Sequence, residues 1–242
     1  MNNKLFIVGI GPNNIEFMTK KSIEILNNSD IIVGYSKYVE RIKNDFKHAE
    51  YICTGMRTET ERVIKALELS ESGKKVSLIS SGDSGVYGMA SLALELSKNY
   101  KVDIEIIPGI TVANSAASII GSPLTLDYAV ISLSDILVDW QTIVKRLECF
   151  AESGVSTVIY NPKSKTRDWQ LKKAFDIFKN IRNNFYVCVV KNAFMDSQQI
   201  LISHCDNYDW IDSVDMMSVV YFCDEKTIKI NEKLVVPRGY VK

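Results

Sequence analysis

Lys75-Val76-Ser77-Leu78-Ile79 is a short apolar run of the buried-strand kind, and it breaks directly into Ser80-Ser81-Gly82-Asp83-Ser84-Gly85-Val86-Tyr87-Gly88-Met89-Ala90. Three glycines within seven residues, followed by the helix-like Met89 to Leu94, mark a strand-to-helix edge of an α/β sheet, where small ligands bind. Glycine at 82, 85 and 88 removes Cβ atoms, so backbone N–H groups can approach a ligand closely. Asp83 places one carboxylate among backbone and hydroxyl groups. A capping Asp in a plain strand-to-helix turn would show the same local pattern.

A second glycine loop, Gly9-Ile10-Gly11-Pro12-Asn13, follows another apolar run, Leu5-Phe6-Ile7-Val8, and sets this chain apart from a plain turn. It looks like a dinucleotide fingerprint at first. Pro12 and Asn13, however, stand where a G-x-G-x-x-G loop turns into its helix, and the third glycine is missing. A nicotinamide or flavin site is therefore disfavoured.

The 242 residues fit an α/β chain of two domains, divided at Gly121-Ser122-Pro123 into 1–120 and 121–242. With 46% hydrophobic residues and 24% charged ones, both halves can bury a core. Twenty-nine basic side chains balance twenty-nine acidic ones, which argues against nucleic-acid or anionic-membrane binding. There is no run of eighteen apolar residues and no leader-like start, so a cytoplasmic protein is expected. The cysteines, at 53, 149, 188, 205 and 223, form no C-x-x-C pair, and neither a disulfide frame, a metal site nor an iron–sulfur centre is expected. His204 and Cys205, as strand neighbours, should point to opposite faces; His48, among charges, reads as solvated.

In the first half the pattern alternates strand and helix about five times, which implies right-handed crossovers and a mostly parallel sheet. Helices are expected over 19–28, from a Thr58-Glu59-Thr60-Glu61 capping box to about Ser70, and over 111–120. Strands are expected at 31–33, 51–53, 75–79 and 103–107. In the second half strands at 128–131, 155–160, 185–190, 199–203, 217–222 and 227–230 outnumber helices at 139–151 and 169–179, so the pairing should be mixed. Asn161-Pro162-Lys163-Ser164-Lys165-Thr166-Arg167 is the most basic short loop.

Three loops carry a family resemblance: Ser80 to Ala90, Ile131 to Trp140 (I-S-L-S-D-I-L-V-D-W) and Tyr160 to Leu171 (Y-N-P-K-S-K-T-R-D-W-Q-L). Together they resemble the precorrin-3B C(17)-methyltransferases of cobalamin biosynthesis, a branch of the S-adenosylmethionine-dependent tetrapyrrole methylases. The likeness extends through Val33-Gly34-Tyr35, Gly55-Met56-Arg57, Pro108-Gly109-Ile110-Thr111 and Pro237-Arg238-Gly239-Tyr240. It implies two α/β domains, the first with a mostly parallel sheet and the second with a mixed one. It also implies a homodimer, with the cofactor in the cleft between the domains. Carried over motif by motif, the cofactor-binding positions are Pro12, Gly82, Asp83, Ser84, Val86, Tyr87, Thr111, Val112, Asn161 and Ala193. Asn13 and Cys223-Asp224-Glu225-Lys226 depart from the usual pattern, the latter standing where such chains often have Gly-Asn-Ser.

Methyl transfer from a sulfonium to an electron-rich carbon needs orientation more than activation, which fits a chain with no Ser-His-Asp set. The resemblance implies methylation at carbon 17 of precorrin-3B or cobalt-precorrin-3, coupled to ring contraction through attack by an oxygen at carbon 20. Asp83 and Asp135 are both candidates for the proton acceptor. The carboxylate arms of the tetrapyrrole call for fixed cations, for which Arg57, Lys163, Lys165, Arg167 and Arg238 stand beside the motifs, with Lys37 a further possibility. Tyr35, Tyr38 and Tyr87 offer rings for the macrocycle, Tyr87 foremost. Two alternatives stay open: methylation at another carbon of a precorrin or of a uroporphyrinogen, and a non-catalytic tetrapyrrole carrier.

Overall fold

The computed structural model describes residues 3–164 and 166–240. It falls into two compact units, Met1–Val112 and Ala113–Lys242. Helix 112–120, which precedes the expected boundary at Gly121, has all but its first residue in the second unit.

The first unit runs β1 (Lys4–Gly9), α1 (Lys20–Asn27), β2 (Ile31–Tyr35), α2 (Ser36–Ile42), β3 (Glu50–Thr54), α3 (Glu59–Glu71), β4 (Val76–Ser80), α4 (Ala90–Ser97) and β5 (Asp103–Ile107). All five strands are parallel, in the order β3-β2-β4-β1-β5. Every residue of β4 is buried, as a central strand covered on both faces requires. Alternation along the strands sorts the core into two layers. Leu26, Val39 and Ile42 of α1 and α2 pack on Val8, Ile32 and Ile79. Val63, Ala66 and Ala93 of α3 and α4 pack on Leu5, Ile7, Val33 and Leu78. The chain thus leaves β1 for β2 and β3 along one face and returns through β4 to β5 along the other. The connections leaving β2 and β4, which are hydrogen-bonded neighbours, depart in opposite directions.

One local expectation fails, and one helix was not foreseen. Thr58 caps α3 by position but not by side chain, because its Oγ1 donates to Gly55 O at 3.0 Å; the capping box does not form. Helix α2, starting with no linker after β2, carries only Val39 and Ile42 as buried residues, too few to show a helical period.

The second unit contains α5 (Val112–Ile120), β6 (Gly121–Ser122), β7 (Tyr128–Ser132), α6 (Trp140–Ser153), β8 (Ser156–Tyr160), α7 (Gln170–Ile181), β9 (Tyr186–Lys191), β10 (Gln199–His204), β11 (Ser218–Phe222), β12 (Ile228–Ile230) and β13 (Lys233–Val235). Its main sheet, β10-β9-β11-β8-β7, is parallel only at β7–β8 and so is mixed. Asp139 caps α6 by accepting the Thr142 N–H at 2.9 Å, and Gly154, left-handed at φ 79°, ends it. The core is aromatic: Phe175, Phe178, Phe185, Trp210 and Phe222 pack ring on ring, mostly edge to face. Arg182 is buried beside them, donating to the carbonyls of Phe150, Ala151, Val155 and Cys223. It thereby satisfies carbonyls that the end of α6 leaves open. Cys223-Asp224-Glu225-Lys226 is absorbed into this wall: Cys223 is buried, and Asp224 accepts from Lys226 N at 2.7 Å.

Candidate functional site

At the carboxyl ends of β1, β4 and β5 three turns meet almost without side chains. Gly11 and Gly82, both left-handed at φ 71° and 68°, exchange backbone hydrogen bonds of 3.0 and 2.8 Å. Gly109 lies so close that an added Cβ would stand 2.1 Å from Gly82 O. Asp83 ties the junction together: Oδ1 accepts the N–H groups of Gly85 (2.8 Å) and Val86 (3.2 Å), and Oδ2 accepts that of Gly109 (2.9 Å). Ser84, fully buried, donates to Ile107 O. The glycines therefore serve backbone-to-backbone packing first, leaving Gly85, Val86 and Tyr87 exposed as the tip. Pro12 is buried, and its carbonyl accepts from Arg41.

Beside this junction, where the connections from β2 and β4 part, lies a cavity of about 190 Å³. A crevice outside the strand ends at such a point is the general ligand position of open parallel sheets. Tyr35, Tyr38, Glu59, Arg62, Ser81 and Tyr87 line it, together with Met56 and Met89. Tyr35 and Tyr38 stand edge to face, 5.2 Å between centroids, and burial pushes the Tyr38 phenol upward.

In the second unit Asn161, Arg167 and Asp135, three of the five predicted loop residues, lie in the loops that follow β7 and β8. Arg167 Nη1 donates to Leu133 O (3.1 Å) and Asn161 O (2.6 Å), so this cation clasps two loops; burial lowers its pKa. Asn161, left-handed at φ 48°, donates to Ser132 Oγ, and exposed Asp135 accepts from Gln170 Nε2 at 3.1 Å. Lys163 is half-buried in the same loop, and Lys165 lies outside the described residues. Ala193 is buried between the left-handed Asn192 and Phe194.

The remaining predicted positions scatter. Thr111 and Val112 are half-buried at the start of α5. Arg57 is exposed and left-handed, its N–H donating to Glu59 Oε1, and Arg238 stacks 5.4 Å from the Tyr240 ring. His204 and Cys205 do not point apart: Cys205 Sγ lies 3.6 Å from His204 Nδ1, and Asp206 joins them. His204 is already held by Asp206 at 3.0 Å and Asn184 at 2.8 Å.

Four residues escaped the sequence reading. Tyr160 Oη accepts from Ala113 N and Tyr221 Oη donates to Ala113 O, so two phenols fix the first turn of α5. Arg41 donates to Ser81 Oγ at 3.2 Å, and Arg62 is buried at the cavity. The signal for Arg62 was present: it falls on the stripe of Val63, Ala66, Leu67 and Ser70, where a cation is out of place.

Residues 4–207 match the family model described as Tetrapyrrole (Corrin/Porphyrin) Methylases. The chain is 41% identical, over 98% of its length, to the cobalamin biosynthesis protein CbiHC of Archaeoglobus fulgidus, and spans 53% of that relative, about half. It is 39% identical to the probable cobalt-factor III C(17)-methyltransferase of Salmonella typhimurium, covering 98% of this chain and 99% of that one. Among solved structures, the methyltransferase CobJ superposes with a TM-score of 0.91 at 29% identity, covering 97% of this chain and 100% of the other. Parallel first sheet, mixed second sheet, glycine junction and relatives agree, and the chain belongs to the tetrapyrrole (corrin/porphyrin) methylases.

Proposed function

We propose that the chain transfers a methyl group from S-adenosylmethionine to carbon 17 of precorrin-3B or its cobalt-bearing counterpart, with ring contraction, in cobalamin biosynthesis. The observation that carries this reading is the similarity, over 98% of this chain and 99% of the other, to the Salmonella relative named a probable cobalt-factor III C(17)-methyltransferase. The glycine junction fits such a donor. Its backbone is locked by Asp83, while the tip Gly85-Val86-Tyr87 offers exposed apolar and backbone surface with no charge to repel a sulfonium. When bound, S-adenosylmethionine supplies an activated methyl, and the protein is left to orient donor and acceptor.

Pro12, Gly82, Ser84, Val86, Tyr87, Thr111 and Val112 of the first unit are the positions assigned to the donor. Both Asp83 oxygens already hold backbone N–H groups, so Asp83 is assigned to shaping the loop. Asp135, exposed and holding one amide, is assigned to accepting the proton released during contraction. Lys163, Lys165, Arg57 and Arg238 are the candidates for carboxylate arms, and Arg167 is assigned to holding the Asn161 loop against Leu133. No helix of the described residues is long and apolar enough to cross a membrane; a cytoplasmic homodimer completes the reading.

The test uses S-adenosylmethionine with a ¹³C-labelled methyl and a cobalt-factor III or precorrin-3B acceptor. One new labelled methyl on carbon 17, located by NMR, is expected. Label on any other carbon refutes the assignment, and sedimentation velocity checks the dimer.

A further inference from the structure

Arg62 is 4% exposed, yet it has no carboxylate within 4.0 Å among the described residues. Its guanidinium carries five N–H donors. Nε donates to Thr54 Oγ1 and Nη2 to Gly55 O, while Nη1 finds only the thioether of Met89 at 3.9 Å, a weak acceptor. Glu59 stabilises its charge from a distance without touching it, and a buried cation with neither an ion pair nor a full set of acceptors is costly unless something else completes it.

The surroundings say what that is. Arg62 forms part of the cavity wall where the connections from β2 and β4 diverge. In the same lining, Tyr35 and Tyr38 make no hydroxyl hydrogen bond with the described residues, and each ring has a cation beside it, Arg62 at Tyr35 and Arg41 at Tyr38. Arg41, the second cation, reaches Ser81 Oγ on the cavity edge and lies 5.4 Å from the Tyr38 ring. One group of opposite sign lines the cavity: Glu59, exposed at its mouth, where Oε1 accepts the Arg57 N–H.

We propose that this cavity is a carboxylate-binding subsite in which Arg62, supported by Arg41, receives one acidic arm of the tetrapyrrole. The tyrosine hydroxyls complete the anion's hydrogen bonds. This rests on the methyltransferase reading for its substrate class, but not for the chemistry of the subsite. Arg62 is preorganised to receive the arm, because Thr54 and Gly55 fix the plane of its guanidinium and leave Nη1 turned to Met89 at the cavity wall. Planar guanidinium and planar carboxylate match in paired hydrogen bonds, which lysine cannot reproduce.

The test measures two ligands on the full chain: S-adenosylhomocysteine by calorimetry, and uroporphyrin III, a ring bearing eight carboxylates, by its absorbance shift. Wild type, Arg62→Gln and Arg62→Lys are compared, with circular dichroism to confirm that each is folded. Arg62→Gln is expected to weaken uroporphyrin binding at least tenfold, with less dependence on salt, and to leave S-adenosylhomocysteine affinity within twofold. Arg62→Lys should recover part of the loss. Uroporphyrin binding that is absent in the wild type, or equal in Arg62→Gln, overturns the subsite. Failure of the wild type to bind S-adenosylhomocysteine, with Arg62-dependent porphyrin binding intact, overturns the methyltransferase reading and leaves the subsite standing.

Discussion

Each unit buries one arginine, and the two are used in opposite ways. In the second unit Arg182 gives its donors to four backbone carbonyls, lies 4.9 Å from the Phe178 ring and seals the end of α6. In the first, Arg62 has two oxygen acceptors and a thioether, beside a cavity. Burial alone does not separate a structural charge from a functional one; the tally of acceptors does. The same contrast runs through the units at large. The second closes its core with interlocked rings, whereas the first leaves an opening at the strand ends.

The sharpest way to break this contrast is to neutralise both arginines. Arg182→Met takes a charged donor from four carbonyls, and Cys223 O keeps no other partner among the described residues while Phe150, Ala151 and Val155 retain one each; it is expected to cost about 3–5 kcal/mol in urea denaturation. Arg62→Gln is expected to cost about 1 kcal/mol or less, since it removes a charge whose partner is a ligand. Equal losses would mean that Arg62 too is there for the fold.

Next in size comes the glycine junction. Gly109→Ala drives a Cβ to 2.1 Å from Gly82 O, backbone that cannot swing aside, and about 2–3 kcal/mol is expected from the resulting displacement. Gly85→Ala meets only Asp83 Oδ1 at 3.2 Å and should change stability by under about 0.5 kcal/mol. Thermal melts of the pair decide whether the junction is as rigid as described.

Thiol chemistry reads the two units without mutation. Cys53 of the first unit and Cys149 of the second are exposed, while Cys188, Cys205 and Cys223 are buried. Burial also pushes the Cys223 thiol up to about 12 and raises that of Cys188. A disulfide reagent at pH 8 should therefore titrate two thiols in the native protein and five after unfolding.

The smallest effect concerns helix starts. The Thr142 hydroxyl and N–H hold the Asp139 carboxyl below its usual range. A pKa lower in the folded state means that the cap's contribution is present above the unfolded value and is lost as pH falls through the folded one. The melting difference between wild type and Asp139→Ala should therefore shrink as pH drops from 7 toward 3. Thr58→Ala on α3, whose hydroxyl never reaches the helix, should show no such trend.

Sequence periodicity carried most of the fold, because parallel strands buried on both faces read as apolar runs and their helices as stripes. It missed what depends on three dimensions. The Thr58 capping box has the right spelling, but the competing acceptor is Gly55 O, a choice made by the β3–α3 turn. The glycine turns were legible as motifs because each is local. The cavity was not, since its wall is assembled from 35–38, 56–62, 79–81 and 87–89, separated along the chain and joined only by strand order. Arg167 illustrates the converse: a basic loop advertised a free cation, and the fold spends it on Leu133 and Asn161.

The meeting of Gly11, Gly82 and Gly109 has a consequence for how such a scaffold diversifies. A joint made of bare main chain has nothing to exchange, so no point change there can retune what the protein recognises without loosening the joint itself. New preferences must be written on the encircling tyrosines, methionines and arginines instead.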